Sequence, residues 1–150
     1  MVSTNPLKLM AQDAQDIAPV SAALQDAIGA LGDFVYEAKA RRFTLALNRF
    51  RWEQGRKGPQ ERVRTALQAA SVISAKAHRL KQGAPDAIVS LLSITFEPGD
   101  DPSGTLVLTF SGGGTLRLEV ECIDLVMADV SEPWRAVARP EHTQTPEADG

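Results

Sequence analysis

Apolar residues in the first third of the chain recur at helical spacing. They fall at steps of three and four along one helix face: Ile17, Val20, Leu24, Ile28 and Leu31. Asp13 and Asp16 are both candidate N-caps, and Asp16 is preferred because it places Pro19 in the first turn, where a missing N–H breaks no intrahelical bond. The pattern predicts a helix from about Ile17 to Leu31 that ends at Gly32.

After Gly32 the apolar positions alternate with period two, which is typical of strands. One such run contains Phe34 and Tyr36, and the next contains Phe43, Leu45 and Leu47. Further strands are expected around residues 62–69, 72–79, 88–96, 105–110, 115–122 and 125–130. The alanines of residues 62–80 would also suit a helix.

The first two of these strands should form an antiparallel pair. Directly opposed residues share a face, so Tyr36 should lie beside Phe43, and Glu37 beside Arg42. Phe50 and Trp52 are one position out of step with the apolar residues before them. A bulge near Asn48 and Arg49 would account for that shift, and residues 55–60 should then form a loop.

Residues 105–122 contain the clearest hairpin. Pairing Leu106, Leu108 and Phe110 with Val120, Leu118 and Leu116 leaves the three glycines 112–114 as the loop, where positive φ has no steric cost. The other face carries mostly polar residues, as expected of an antiparallel sheet buried on one side.

These elements predict an α+β fold. An N-terminal helix should cover a curved, mainly antiparallel sheet of about seven or eight strands, arranged as a half-barrel or in two layers. Whether the sheet closes is left open. Residues 1–134 should form a single domain, and residues 135–150, which are rich in proline and acids, should form a disordered tail.

Composition is that of a globular protein, with 43% hydrophobic and 23% charged residues. No secretion signal or membrane span is recognisable, and Cys122 is the single cysteine, which suits a reducing, cytoplasmic compartment. The net charge of −3 hides an excess of nine bases over three acids within residues 37–64. The acidic half of the chain could neutralise this excess, or the excess could form a basic face that meets an anionic partner.

The residues that could carry chemistry do not form a recognisable catalytic set. Cys122 is in phase with the buried face of its strand, and His78 is expected beside Lys76 on an outward face. No metal-binding motif occurs, so no metal or other cofactor is expected. The acid pairs Glu119 with Glu121 and Asp100 with Asp101 read as solvated carboxylates.

Arginines alternate with aromatic residues after the second strand. We predict a binding surface of four cations, Arg49, Arg51, Arg56 and Lys57. Guanidinium groups and rings both serve single-strand nucleic-acid sites, but alternation sends them to opposite faces of a strand. A core strand with a charged outer face is therefore the competing interpretation.

Five segments of the chain carry a resemblance to a known family: PLKLMAQDAQDI, ARRFTLALNRFRWE, ERVRTAL, SLLSITFEPGD and GTLRLEVECIDLVMADVSEPW. Over about residues 6–134 the chain resembles the bacterial domain-of-unknown-function 2948 family. The resemblance implies a bacterial cytoplasmic protein and transfers no site residues.

Three functions follow as hypotheses. The leading one is a non-enzymatic protein-binding or adaptor domain, with another protein or a second copy as partner, acting through the four cations or through an exposed sheet edge. The first alternative is binding of an anionic ligand or single-stranded RNA through residues 49–57. The second is a small cofactor-free enzyme that uses the surface carboxylates.

Overall fold

A computed structural model describes residues 6–80 and 84–136 and shows one antiparallel sheet with a short helix. The strands are β1 Lys8–Ala11, β2 Ile28–Ala30, β3 Phe34–Glu37, β4 Arg42–Phe50, β5 Glu61–Ala69, β6 Val72–His78, β7 Ile88–Pro98, β8 Gly104–Phe110, β9 Thr115–Val120, β10 Leu125–Asp129 and β11 Trp134–Arg135. Helix α1 spans Ile17–Ala23. Short 3-10 turns occupy Ala14–Asp16, Leu31–Asp33, Ala38–Ala40, Trp52–Gln54 and Ser111–Gly113.

The sheet is open. Its strands follow the order β1-β10-β5-β4-β2-β7-β8-β9-β6, while β3 pairs with β4 and β11 pairs with β5. The end strand β6 lies near β3, and two hydrogen bonds connect one end of β6 to β3 and the turn after it. The N–H of Val72 donates to the carbonyl of Arg41 at 2.8 Å, and the Tyr36 hydroxyl donates to the carbonyl of Val72 at 3.0 Å. The sheet therefore curves around its core without a ladder between β3 and β6.

The core lies on the inner face of this sheet. Alternate residues of the long strands are buried there, as period two requires, and α1 adds Ile17, Val20 and the following Leu24. The helix packs on β7, where the N–H of Ile94 donates to Ser21 Oγ at 2.9 Å. Among the described residues, no helix has the length and apolar character needed to cross a bilayer.

The predicted helix is shorter than its periodicity suggested. With the preceding 3-10 turn it covers ten residues, and Asp26 then adopts a left-handed φ of 64°. Ile28 begins β2 instead, a short strand between β4 and β7. Gly29 allows this close packing, because a Cβ there would lie 2.8 Å from Leu47 Cδ2.

The mainly antiparallel sheet is confirmed and one short helix is present, but residues 6–80 and 84–136 form eleven strands rather than seven or eight. The structure resolves the ambiguity of residues 62–80 in favour of strands β5 and β6. The extra strands are β1, β2 and β11, which have four, three and two residues. Strands of two or three residues, such as β11 and β2, carry too few alternations to be recognised.

The predicted pairing of Tyr36 with Phe43 and of Glu37 with Arg42 is confirmed. The register of the β8–β9 hairpin is wrong by two residues, since Leu106 lies opposite Leu118. The 3-10 turn Ser111–Gly113 forms the loop, one position earlier than predicted. A shift of two keeps every side chain on its face, so hydrophobic alternation cannot detect it.

Two further expectations need correction near the C-terminal end. Cys122 is only half-buried, because β9 ends at Val120 and Ile123 takes the buried position. The fold also extends two residues past 134, since β11 includes Arg135 and the N–H of buried Ala136 donates to the carbonyl of Gln60 at 2.7 Å. The remaining predicted tail, residues 137–150, lies outside the described residues.

Candidate functional site

Arg49 lies in the protein interior. It shares the inward face of β4 with Phe43, Leu45 and Leu47, and its side chain is 0% exposed. Strand β4 runs through this point in unbroken register with β5, so the predicted bulge near Asn48 and Arg49 is wrong. The apolar residues move to the other face at Phe50 because both faces of β4 are buried at its end, and the inward position there is occupied by Arg49.

All five N–H donors of Arg49 have acceptors. Nε and Nη2 donate to the two carboxylate oxygens of Asp129 at 2.8 Å each, and Nη1 and Nη2 donate to those of Glu53 at 2.8 and 2.7 Å. Nη1 also donates to the carbonyl of Phe50 at 3.3 Å. A buried guanidinium is stable only when it is satisfied in this way.

Asp129 is equally enclosed, with a side chain that is 2% exposed. Its oxygens also accept hydrogen bonds from the Thr65 hydroxyl and the N–H of Leu7, both at 2.8 Å. Burial alone would raise the pKa of Asp129, but the bonds from Arg49, Leu7 and Thr65 outweigh it and hold that pKa below its ordinary value. The network therefore ties four segments of the chain together.

Arg51 is also buried, at 3% exposure, and its Nη1 donates to Glu61 Oε1 at 2.5 Å. Arg56 and Lys57, in contrast, are exposed in the loop that follows. The expectation that Arg49, Arg51, Arg56 and Lys57 form one exposed basic face is therefore wrong, because two of the four charges are neutralised inside the protein. A binding role for the exposed pair stays a prediction.

The other candidate groups lie apart on the surface. His78 and Lys76 are exposed on the outward face of β6, as predicted. Asp100 and Asp101 lie exposed in a turn, and Glu119 and Glu121 are exposed at the end of β9. In residues 6–80 and 84–136, no three His, Cys, Asp or Glu side chains lie together in a way that could hold a metal.

Sequence reasoning missed an apolar cavity between β3 and β6. We call this region the seam. The cavity has a volume of about 420 Å³, and its walls come from three sources. Phe34 and Tyr36 of β3 form one wall, Ala75 and Ala77 of β6 form the opposite wall, and the segment around Pro85 borders one end.

Small residues keep the seam open. Ala75 and Ala77 are the inward residues of β6, and their methyl groups leave the space that larger side chains would fill. The aromatic wall is held in place from behind, because Tyr36 stacks on Phe43 at 6.0 Å between ring centroids and Phe34 packs against Phe110 at 5.9 Å. The cavity therefore exists because the aromatic side chains of β3 are fixed by their neighbours, while the alanines of β6 are too small to reach them.

The hydrogen-bond phase of β9 shows which backbone groups of β6 are bonded. In an antiparallel ladder, opposed residues alternate between pairs that exchange two hydrogen bonds and pairs that exchange none. The bond from the N–H of Phe110 to the carbonyl of Gly114, at 2.8 Å, sets that alternation for β8 and β9. Leu116 and Leu118 consequently direct their backbone groups to β8.

The partners of Leu116 and Leu118 on β6 are Ala77 and Ala75. Both alanines must direct N–H and C=O away from β9 and into the seam. The same phase explains why the N–H of Val72 reaches across the seam at the closed end of β6. In the part of the chain that the structure describes, the edge groups of Ala75 and Ala77 have no hydrogen-bond partner.

Strand β3 presents a matching edge. The bond from the N–H of Arg51 to the carbonyl of Glu61, at 2.8 Å, places the inward residues of β4 in bonded pairs with β5. The outward residues of β4 then bond to those of β3, so Phe34 and Tyr36 direct their backbone groups into the seam. A 3-10 turn already uses the N–H of Phe34. Within residues 6–80 and 84–136, the Phe34 carbonyl and the N–H and C=O of Tyr36 remain without a hydrogen-bond partner.

Comparison with known proteins gives the family of the chain and nothing more. No curated protein and no solved structure matches it. A family model described as "Protein of unknown function (DUF2948)" matches residues 7–142. Bacterial origin and a cytoplasmic location stay predictions. Because the matched segment covers nearly the whole chain, the resemblance is confirmed and the protein belongs to the DUF2948 family.

Proposed function

We propose that this protein is a non-enzymatic protein-binding domain that takes an extended segment of a partner protein into the seam. The observation that supports this is the coincidence of two strand edges with free backbone groups and an apolar cavity between them. A strand added at a sheet edge gains affinity from main-chain hydrogen bonds and specificity from pockets for alternate side chains. The seam offers both.

The two alternatives have weaker support. Binding of an anionic ligand or single-stranded RNA through residues 49–57 would require two buried arginines, Arg49 and Arg51, to leave their carboxylate partners, which is costly. A carboxylate enzyme would need acids in a cleft, whereas Glu119 and Glu121 are exposed outside the cavity.

Two substitutions of Ala77 test the proposal. Ala77→Pro removes an edge N–H without breaking a bond to β9, which is the position where a sheet tolerates proline. Ala77→Trp fills the cavity. Thr95→Trp, on the exposed outer face of β7, adds the same bulk away from the seam and serves as the matched control. Thermal melts should show that all three variants remain folded.

The assay is selection of a displayed library of random 12-residue linear peptides on the wild type. Enriched peptides should bind the Thr95→Trp control and lose binding to both Ala77 variants. Hydrogen exchange with a bound peptide should slow at the amides of Ala75 and Ala77, which only strand addition requires.

A library without enriched peptides, or peptides that bind the Ala77 variants unchanged, would refute the proposal. If the wild type instead binds the apolar dye anilinonaphthalene sulfonate and Ala77→Trp abolishes that binding, the cavity is a site for small apolar ligands. That outcome would also overturn the protein-binding function.

A further inference from the structure

We infer that the segment bound in the seam alternates apolar residues with acidic ones. The inference rests on the proposed function, since it specifies the chemistry of the partner for the same site. It follows from what β6 presents on its two faces: Ala75 and Ala77 inward, and Lys76 with His78 outward.

The inward positions of an added strand require apolar side chains. Opposed residues of neighbouring strands share a face, so every second residue of the segment would lie beside Ala75 or Ala77 and enter the cavity. The lining is aliphatic and aromatic, and the Tyr36 hydroxyl already donates to Val72. A large apolar side chain fits this lining, whereas a charged one would be buried without a partner.

The outward positions of the segment would lie beside Lys76. On the other side of Lys76, β9 places Arg117 directly opposite, which is a like charge. Glu97 neutralises Arg117 through a contact of 2.5 Å to Nη2, and no ion pair is found for Lys76 among the described residues. Glu97 is thus engaged by Arg117, and an acid on the seam side would supply the counterion that Lys76 lacks among the described residues.

Further cations border the seam. Lys39 lies in the turn Ala38–Ala40, which packs near β6, and Arg79 follows β6 directly. Neither has an ion pair within residues 6–80 and 84–136. Glu37 at the end of β3 and Glu121 after β9 are each bound to an arginine, Arg42 and Arg41 respectively. Asp86, exposed beside Pro85, and Glu119, exposed on β9 opposite Ser74, have no ion pair within residues 6–80 and 84–136, so three cations stand against two acids here.

The test uses three sets of nine-residue peptides that alternate leucine or phenylalanine with a variable residue. The variable residue is glutamate in one set, serine in the second and lysine in the third. Fluorescence anisotropy gives Kd for each set at low and high NaCl. Each acid placed beside a cation should strengthen binding by about two- to five-fold relative to serine. Added salt should reduce this preference.

Charge reversal provides the matched control. Lys76→Glu should invert the order, so that the lysine set binds best, while Lys8→Glu on the exposed face of β1 should leave the order unchanged. If serine and lysine peptides bind as tightly as glutamate peptides and Ala77→Pro abolishes all of them, the acidic preference is wrong and the proposed function stands. If no set binds the wild type, both are wrong.

A second copy of the chain is the competing occupant, and sedimentation distinguishes it. A wild-type dimer that Ala77→Pro converts to a monomer would show that copies of the chain fill the seam, which would overturn the assignment to an acidic partner segment. A monomeric wild type that binds the glutamate peptides supports it.

Discussion

Replacing Asp129 with asparagine should destabilise the protein severely. The carboxylate accepts four hydrogen bonds, two from Arg49 and one each from Thr65 and the N–H of Leu7, all at 2.8 Å. An amide keeps one oxygen and puts an NH₂ group where donors already point. The substitution also leaves Arg49, at 0% exposure, with a single carboxylate partner in Glu53.

Breaking a buried ion pair from one side costs about 3–5 kcal/mol. Domains of this kind have a total unfolding free energy of about 5–15 kcal/mol, so Asp129→Asn should remove a large part of it. The melting temperature should fall by about 10–20 °C. Urea denaturation followed by tryptophan fluorescence measures the loss, because Trp52 packs against Phe50 beside the network, with the two rings tilted by 59°. Asp100→Asn, in an exposed turn, is the control and should have no measurable effect.

The same pair should make stability depend on pH in a defined direction. Because the pKa of Asp129 is lowered by folding, the unfolded chain binds this proton more readily. The contribution of the pair is therefore complete above the unfolded pKa of about 3.9 and disappears as pH falls through the lower folded value. Wild type should lose more stability than Asp129→Asn between pH 7 and pH 3. A loss below about 1 kcal/mol for the variant at pH 7 would refute the energetic role of the network.

The other predictions concern charge and backbone packing. The double variant Arg56→Ser with Lys57→Ser should melt at the wild-type temperature, whereas Arg51→Ser should lose about 2 kcal/mol or more, because it leaves Glu61 without its buried partner. Equal melting temperatures would contradict the burial of Arg51. Gly104→Ala should lose about 1–3 kcal/mol in urea denaturation, since its Cβ would lie 2.6 Å from the carbonyl of Glu97. An unchanged midpoint would show that β7 and β8 can separate there.

Alternation along the chain predicted most of the long strands, because a strand buried on one face must alternate. It could not predict the role of Arg49, although Arg49 is in phase with Phe43, Leu45 and Leu47. An arginine at a core position normally indicates that the strand has ended. Asp129 is the acid that allows Arg49 to be buried, and it lies 80 residues away in the sequence. A local pattern of apolar and polar residues cannot reveal a partner at that distance.

The helix was overestimated for a related reason. Ile28 continues the helical spacing of Ile17, Val20 and Leu24, yet it also fits a strand. The pairing of Ile28 and its neighbours with β7 and β4 favours the strand in the folded protein. In the sequence, the alternation of a three-residue strand is weaker than the helical spacing of the preceding apolar residues. The seam could not be predicted either. Its walls come from β3 and β6, which do not pair with each other, so no local pattern brings them together.

Lys76 should favour binding of an acidic segment in the seam and oppose pairing of two copies of the chain through the same edge. Exposed strand edges invite pairing with any other edge, and proteins counter this with charges, bulges and short strands. Strand β6 has a register shift between Val72 and Ser74 and carries Lys76 on its outward face. In a symmetric antiparallel pairing of two copies through this edge, centred on Lys76, the two lysines would meet as like charges, which opposes self-association. An acidic segment gains from the same charge, so one residue can both protect the free edge and select its partner.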